Sequence, residues 1–443
     1  PVDICIRSYL SFKKFAWVPF PLPGFPNKTK LSMIIFYKYT ELQMMNKLLL
    51  IYKLVYFWDL KLNTLDRKVG IIGGGQLGKM ILDEASKIGL SLSILDPSNE
   101  SPCCKLSNNF VQGDFNDYNT VINFGEKHDL ISYEIEHINI DALDTLVKNG
   151  IEVQPSPEIL RIIQDKNLQK SFFKKNNFPT SNFTFFKSKN ELINSLKKDS
   201  LNFPCVWKKT RFGYDGYGVK VLKSFNDTSE IVDSEMIIED FIPFTKELSV
   251  IVALNKNGDL KTFETVEMEF NSNSNQVEFV ISPANISEKI NQLAKKLASD
   301  LAKKMNLIGL LAVEMFLTND GEILINEIAP RPHNSGHFSI DACPTSQFKQ
   351  HINSIMNFKL GETSHKRCAI MINLVGEKSH IGKVKYENID LIKDQKDVFV
   401  HLYGKKTTRP NRKMGHVTVI CDNFVEAYKK AKEIKEIIKV KSY

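Results

Sequence analysis

Residues 310–328 read Leu-Leu-Ala-Val-Glu-Met-Phe-Leu-Thr-Asn-Asp-Gly-Glu-Ile-Leu-Ile-Asn-Glu-Ile. Two apolar runs, Leu310–Phe316 and Ile323–Ile328, flank Thr318-Asn319-Asp320-Gly321. Asp-Gly is the preferred two-residue type I′ turn, so the stretch predicts a β-hairpin. With Asp320 and Gly321 as the loop, Asn319 pairs with Glu322, and counting outward pairs Glu314 with Glu327. Their Cβ atoms then lie about 4.5–5.5 Å apart, a spacing at which like charges are destabilising. Burying either one unpaired costs several kcal/mol. A divalent cation removes both problems, since Mg²⁺ is held by one or two carboxylates plus substrate phosphates. Asn326 is a further oxygen ligand beside them. The bland alternative is a pair of half-exposed strand glutamates bridged to Lys or Arg.

Working outward, Cys205-Val206-Trp207-Lys208 is an apolar strand ending in a lysine. The loop Arg211-Phe212-Gly213-Tyr214-Asp215-Gly216-Tyr217-Gly218 follows, and its glycines suit a lid whose N–H groups cover phosphates. A flexible hairpin loop is the plainer reading. Glu239 ends the run Met236-Ile237-Ile238, and Glu247 comes next. Strand-end carboxylates suit ribose hydroxyls, and the backbone nearby suits an adenine edge. On the other side, Arg331-Pro332-His333-Asn334-Ser335-Gly336-His337 follows the hairpin directly. Lys405, Lys406, Arg409, Arg412, Lys413 and His416 follow a late strand and could grip a phosphate or form a solvated charge run.

Further out, Val69–Ile72 predicts a strand, Gly73, Gly74, Gly75 and Gly78 a tight turn, and Met80 to Leu90 a helix. A second strand ends at Asp96. The spacing matches the dinucleotide fingerprint with its ribose-binding acid. The physics is broader, because glycines and a helix N-terminus receive any phosphate or carboxylate. A nicotinamide cofactor, a phosphate-bearing substrate and a purely structural turn all remain open here. Strands alternate with helices up to about Asp165, which predicts a parallel sheet. Beyond it the strands lengthen and look antiparallel, and Ile286, Ile290, Leu293, Leu297, Leu301 and Met305 recur at helical spacing behind Ser287 or Asn285 as N-cap. A last block of strands precedes a helix from Phe424 to Val440. No internal repeat is present.

The chain has 443 residues, 42% hydrophobic and 25% charged, ordinary for a globular protein of two to four domains. Of the net +8, a surplus of six lies in residues 1–67, which hold ten Lys/Arg and four Asp/Glu. The body therefore gives no nucleic-acid or membrane signal. Residues 1–67 also hold thirteen aromatics and the cluster Pro19, Pro21, Pro23 and Pro26. Their longest apolar run, Leu48 to Trp58, is too short for a bilayer, which needs about 20 residues. This segment is expected to be a disordered or non-native extension rather than a presequence. The seven cysteines are scattered without a CxxC pair, which argues against a disulfide framework or structural zinc and fits a reducing cytosol.

Taken together, VGIIGGGQLGKM (69–80), YEIEHI (133–138), FGYDGYG (212–218), NEIAPRPHNSGH (326–337) and GKKTTRPNRKMGH (404–416) resemble the N5-carboxyaminoimidazole ribonucleotide synthetase family of the ATP-grasp superfamily. They stand in the family's order over residues 68–443, and residues 1–67 have no counterpart. The resemblance implies a three-domain ATP-grasp fold of α/β and α+β class: a Rossmann-like domain at 68–165, the ATP-grasp domain at 166–362 and a small C-terminal domain at 363–443. It implies that ATP, bicarbonate and 5-aminoimidazole ribonucleotide give N5-carboxyaminoimidazole ribonucleotide, ADP and phosphate. Lys166 and Lys208 would contact ATP phosphates, with Gly213, Tyr214, Asp215, Gly216 and Gly218 as lid. Glu239 would lie at the adenine hinge and Glu247 at the ribose. Glu314 and Glu327, with Asn326, would hold Mg²⁺ or Mn²⁺. Gln76, Glu136, Tyr214, Asp215, Arg331, His333, Lys405 and Arg412 would form the aminoimidazole ribonucleotide site, and Lys208, Asp215, Arg331 and His333 would carry catalysis.

The family also implies a cytoplasmic homodimer, a mutase as a separate chain, and no nucleic-acid or membrane partner. Tyr217, Phe270 and the Asn/Ser-rich stretch 271–276 depart from its pattern. The competing readings are the sister enzyme that formylates glycinamide ribonucleotide, an NAD-dependent oxidoreductase, and an inactive ATP-binding regulator. The GYDGYG and RPHNSGH segments favour the carboxylating family over the first, the second leaves Glu314, Glu327 and the Gly213–Gly218 lid unexplained, and the third sits poorly with intact Lys208, Glu314 and Glu327.

Overall fold

The structure is a computed structural model that describes residues 66–198, 201–211, 213, 218–271 and 274–443. The expectations for residues 1–65, and for Tyr214, Asp215, Gly216 and Tyr217 of the lid, lie outside these residues.

The glycine turn belongs to a five-stranded parallel sheet. Its strands are β1 (Val69–Ile72), β2 (Leu92–Asp96), β3 (Asn109–Gln112), β4 (Leu130–Tyr133) and β5 (Glu152–Val153), in the order β3-β2-β1-β4-β5. Every residue of β1 and β4 is buried, as expected of strands covered on both faces. The cover comes from α1 (Gln76–Lys87), α2 (Tyr118–Gly125), α3 (Ile140–Lys148) and α4 (Pro157–Ile163). α1 begins at Gln76, one turn before the position read from the sequence, because Gly75 already has the extended N-cap conformation. Asp117 and Asn139 cap α2 and α3 by accepting the Thr120 and Ala142 N–H groups.

The next layer is antiparallel. α5 (Lys166–Lys175) leads through β6 (Phe183–Phe186) and α6 (Lys189–Leu196) to β7 (Cys205–Lys209), β8 (Val219–Leu222) and β9 (Met236–Asp240). The strand order is β6-β9-β7-β8. The sequence reading missed β6, a short edge strand.

The largest sheet starts with β10 (Phe244–Leu254), β11 (Leu260–Thr262), β12 (Val266–Asn271) and β13 (Gln276–Ser282). After α7 (Glu288–Lys304) come β14 (Gly309–Thr318) and β15 (Ile323–Ala329). Ser287 caps α7 by accepting the Ile290 N–H. Ala294, Ala298 and Leu301 of α7 pack on Leu248, Val250, Leu311, Val313 and Ile325 of the sheet. Each fully buried Leu, Val or Ile there contributes roughly 1.5–3 kcal/mol.

The short helix α8 (Ser339–Ala342) and α9 (Gln347–Ile355) lead to the last block. It contains β16 (Cys368–Val375), β17 (Gly382–Glu387), β18 (Val398–Leu402), β19 (Thr407–Thr408), β20 (Lys413–Cys421), α10 (Phe424–Ile437) and β21 (Lys439–Ser442). Hydrogen bonding does not stop at residue 362. β13 pairs with β16, giving the order β15-β14-β10-β12-β13-β16-β20-β18. The helix expected to reach Val440 stops at Ile437. Alternation takes over there, with Val440 buried between half-buried Lys439 and Lys441, and β21 pairs with β17.

The glycine-turn sheet docks on the rest through α1 and α9. Ser346 Oγ donates to Glu84 Oε1 at 3.1 Å, and Ser132 Oγ lies 3.0 Å from His351 Nε2. Among the described residues no helix is long and apolar enough to cross a membrane.

Candidate active site

The β14–β15 hairpin pairs Glu314 directly with Glu327, as the sequence predicted, but by a different route. The turn is not the two-residue Asp320-Gly321 loop. The Thr318 N–H donates to the Glu322 carbonyl, and the Gly321 N–H donates to the Thr318 carbonyl. Asn319, Asp320 and Gly321 therefore form a three-residue loop, with Gly321 at φ 80°. That loop pairs Leu317 with Ile323 and Met315 with Ile325. Asn326 is then an extra, bulged residue, and beyond it Glu314 meets Glu327. The bulge matters for facing. Ile323 and Ile325 point into the core under α7, and simple alternation would send Glu327 there too. Past the bulge Ile328 takes the core side instead, and Glu327 turns to the face shared by Glu314 and Ala329.

Glu247 of β10 stands on that same face, one diagonal step from Glu314, because β10 pairs Ser249 with Glu314. Burial and the neighbouring carboxylates of Glu327 and Glu247 push the Glu314 carboxyl well up. The Lys166 ammonium, 2.6 Å away, holds Glu327 down. Burial, reinforced by Glu327, raises Glu247 to about 7. His333 Nε2 lies 3.3 Å from Glu314 Oε1. Three carboxylates with the Asn326 amide nearby fit an oxygen-seeking divalent ion. Lys166 at Glu327 is the lysine bridge of the plainer reading. Burial and two like charges still outweigh the cations near Glu314.

Lys208 of β7 joins this group from the facing sheet. Its Nζ donates to Asn326 Oδ1 at 2.9 Å and lies 3.1 Å from Glu239 Oε1. The bulge thus presents Asn326 to the lysine. Glu239 is buried, and its carboxylate also accepts from Ser181 Oγ at 2.7 Å and faces Lys170 Nζ at 3.3 Å. Burial alone would raise Glu239, but Lys208 and Lys170 outweigh it and hold the carboxyl low. The Glu239 side chain is thus engaged with two lysines. Lys170, one turn beyond Lys166 on α5, was not singled out from the sequence. It is 3% exposed, and burial lowers it to about 7. Only its i+4 spacing from Lys166 could have flagged it.

A cavity of about 210 Å³ opens over this face. Lys166, Glu314, Glu327, Glu136, Arg331 and His333 line it together with Gly213. Arg331 donates toward Glu136 Oε1 at 2.9 Å, so two residues assigned to one ligand meet. Gly218, at the far foot of the lid, has φ 79°.

The glycine turn lies beyond Glu136. Gly78 packs against the turn so closely that a Cβ there would sit 2.6 Å from the Gly73 carbonyl. The Gly74 N–H donates to Asp96 Oδ2 at 2.8 Å and the Gly75 N–H to Glu134 Oε1 at 2.7 Å. Asp96 also accepts the Ser98 N–H, so it serves the turn and not a nicotinamide ribose. The N–H groups left for a ligand are those of the first turn of α1, from Gln76 on. Glu134 also escaped the sequence reading, and burial raises it to about 7. The basic stretch reaches the same place: Lys406 Nζ lies 2.9 Å from Glu100 Oε1 in the segment after β2. Lys405 donates to the Lys413 carbonyl and Arg412 to the Thr407 carbonyl, both at 2.8 Å. Of the cysteines, the six described are free.

Two facing sheets with lysines and paired carboxylates between them define an ATP-grasp enzyme. Family models agree along the chain. Residues 66–164 match the ribonucleotide synthetase preATP-grasp domain, 171–348 the ATP-grasp domain, and 369–430 the phosphoribosylaminoimidazole carboxylase C-terminal domain. The chain is 39% identical to N5-carboxyaminoimidazole ribonucleotide synthase of Bacillus subtilis, over 79% of this chain and 90% of that one. The crystal structure of the Thermotoga maritima synthetase superposes with a TM-score of 0.79 at 39% identity, covering 85% of this chain and 100% of that one. The Aspergillus clavatus enzyme, solved with ADP and 5-aminoimidazole ribonucleotide, gives 0.77 at 30% identity, covering 84% and 99%. The chain spans 64% of the length of the phosphoribosylaminoimidazole carboxylase of Vigna aconitifolia. The chain belongs to the N5-carboxyaminoimidazole ribonucleotide synthase family.

Proposed function

We propose that this chain is an ATP-dependent ligase that carboxylates 5-aminoimidazole ribonucleotide with bicarbonate, in purine biosynthesis. The observation that carries this reading is the register-paired Glu314 and Glu327, with Lys166 on Glu327, Lys208 on the adjoining Asn326 and His333 beside Glu314. The nucleotide lies between the β7–β9 sheet and the hairpin. Lys208 and Lys166 neutralise its phosphates, and Lys170 with Glu239 fixes the Lys208 ammonium. Mg²⁺ or Mn²⁺, held by Glu314 and Glu327 with Asn326 beside them, would add Lewis-acid charge neutralisation at the transferring phosphate.

A bicarbonate oxygen attacks the γ-phosphorus in line, and ADP leaves. The resulting carboxyphosphate is short-lived in water, so it must form in the cavity away from bulk solvent. The amine of the ribonucleotide takes up the carboxyl group, phosphate departs, and the nitrogen loses one proton. Arg331, paired with Glu136, and His333, beside Glu314, position that amine. Arg412 and Lys405, with the N-terminus of α1 at Gln76, hold the ribonucleotide phosphate. A cytoplasmic homodimer belongs to the same reading, and sedimentation of the full chain tests the dimer.

The deciding experiment is ADP release with substrate pairs. Release should need both aminoimidazole ribonucleotide and bicarbonate. Equal or greater turnover with glycinamide ribonucleotide and formate would reject the reading.

A further inference from the structure

A second group of ligating side chains lies on the C-terminal strands. β18 and β20 pair His401 directly with His416, so both imidazoles stand on one face. Asp341 of α8 reaches over that face, its carboxylate oxygens 3.0 and 2.9 Å from His401 Nε2. One ligating atom from each of Asp341, His401 and His416 lies within 4.8 Å of the other two. The two histidine rings stack with centroids 4.6 Å apart.

His416 is wholly buried. Its Nδ1 lies 3.0 Å from the Tyr403 hydroxyl, while its Nε2 has no hydrogen-bond partner. His337 is also buried, with its ring 4.9 Å from that of His416. Gln347 Nε2 lies 2.9 Å from His337 Nδ1 and donates to it, which assigns the proton to His337 Nε2. That nitrogen too has no partner. Burial disfavours the charged form of both rings. Buried polar atoms are nearly always satisfied. An Asp341–His401 ion pair with a stacked neighbour leaves both Nε2 atoms unexplained.

We propose that Asp341, His401 and His416 form a transition-metal site, separate from the carboxylate pair, that takes a zinc ion. Two imidazoles and one carboxylate are ligands that zinc prefers, whereas magnesium favours an all-oxygen shell. The Tyr403 hydroxyl accepts the His416 Nδ1 proton and leaves the Nε2 lone pair for the ion, the usual outer-shell arrangement. A water completes the coordination and accepts the His337 Nε2 proton. The site has a mechanical consequence. Asp341 follows Arg331 and His333 in the chain, and His401 and His416 flank the loop carrying Lys405 and Arg412. The ion therefore clamps together the two segments assigned to the ribonucleotide.

The test uses the full chain, stripped with chelator and titrated with Zn²⁺, and separately with Co²⁺ as a spectroscopic probe, in excess Mg²⁺. The parent should bind one equivalent of Zn²⁺, melt at a higher temperature with it, and give a visible Co²⁺ spectrum of nitrogen and oxygen ligation. His401→Gln lies at a partly open position, and Asp341→Asn keeps the shape of the side chain it replaces. They should keep the melting temperature of the metal-free parent and lose about 100-fold or more in zinc affinity. Equal zinc affinity in parent and His401→Gln overturns the proposal, as does a parent that binds none. Binding lost in Glu314→Gln but kept in His401→Gln also overturns it, because the ion would then sit on the carboxylate pair.

Discussion

Glu247, Glu314 and Glu327 share one face of the central sheet, with the Lys166 ammonium on Glu327 and the His333 ring beside Glu314. If two of these carboxylates hold the metal, Glu314→Gln or Glu327→Gln should cut turnover far more than tenfold and blunt its Mg²⁺ dependence. Activity of the double variant within about tenfold, or about 1.4 kcal/mol of barrier, would refute the assignment. Glu134 allows a pH test away from the metal. Burial raises it in the fold to about 7, from the ordinary 4.5. The folded state then holds a proton between those pH values that the unfolded chain has released. Stability from this group is present below about pH 4.5 and is lost as pH rises through 7. Glu134→Gln keeps an oxygen for the Gly75 N–H. It should therefore melt higher than the parent at pH 8, by up to roughly 3 kcal/mol, and the same at pH 4. A variant less stable at both pH values would show that the carboxylate is charged and favourable in the fold.

At the scale of elements, the hairpin turn is the point of control. Gly321 has φ 80° and open space around its missing Cβ, so substitution there tests backbone conformation alone. Gly321→Val should destabilise by about 1–3 kcal/mol, and Gly321→Asn, a residue that tolerates the left-handed region, by much less. Equal thermal melts for the two variants would contradict the three-residue loop. The β18–β20 connection makes the complementary case. Arg412→Ala should raise the KM for aminoimidazole ribonucleotide ten- to 150-fold, the worth of a charge-assisted contact at about 1.5–3 kcal/mol, with little change for ATP. Lys406→Ala removes only the exposed pair with Glu100, worth about 0–1 kcal/mol. A selective rise in the KM for ATP in Arg412→Ala would place the loop at the other substrate.

Across the whole molecule, both substrate ends depend on contacts between segments far apart in the chain. Glu84 with Ser346, and Ser132 with His351, fix the glycine-turn sheet against α9. β13 with β16 makes one sheet of two sequence blocks. Much of this frame could be read beforehand. Most strands, the long helix with its Ser287 cap and the run of candidate side chains stood out by local period and composition. Lys170 and Glu134 did not. Lys170 takes its meaning from Ser181, Glu239 and Ile325, and Glu134 from Gly75, partners supplied by other elements. The last helix was read too long for a similar reason, since β17 draws residues 439–442 into a strand.

The sequence alone determined which chemistry is possible: carboxylates inside apolar strands, lysines at strand and helix ends, glycines where backbone must approach a ligand. These follow from side-chain type and local spacing, which no distant contact alters. It also paired Glu314 with Glu327, but on the wrong turn. Only the tertiary structure decided that the loop has three residues and that Asn326 bulges. The choice rests on the core under α7 accepting Ile323, Ile325 and Ile328 together. Strict alternation cannot place all three there, because 325 and 328 differ in parity. One extra residue reconciles the core with the site, turning Glu327 toward Glu314 and Asn326 toward Lys208.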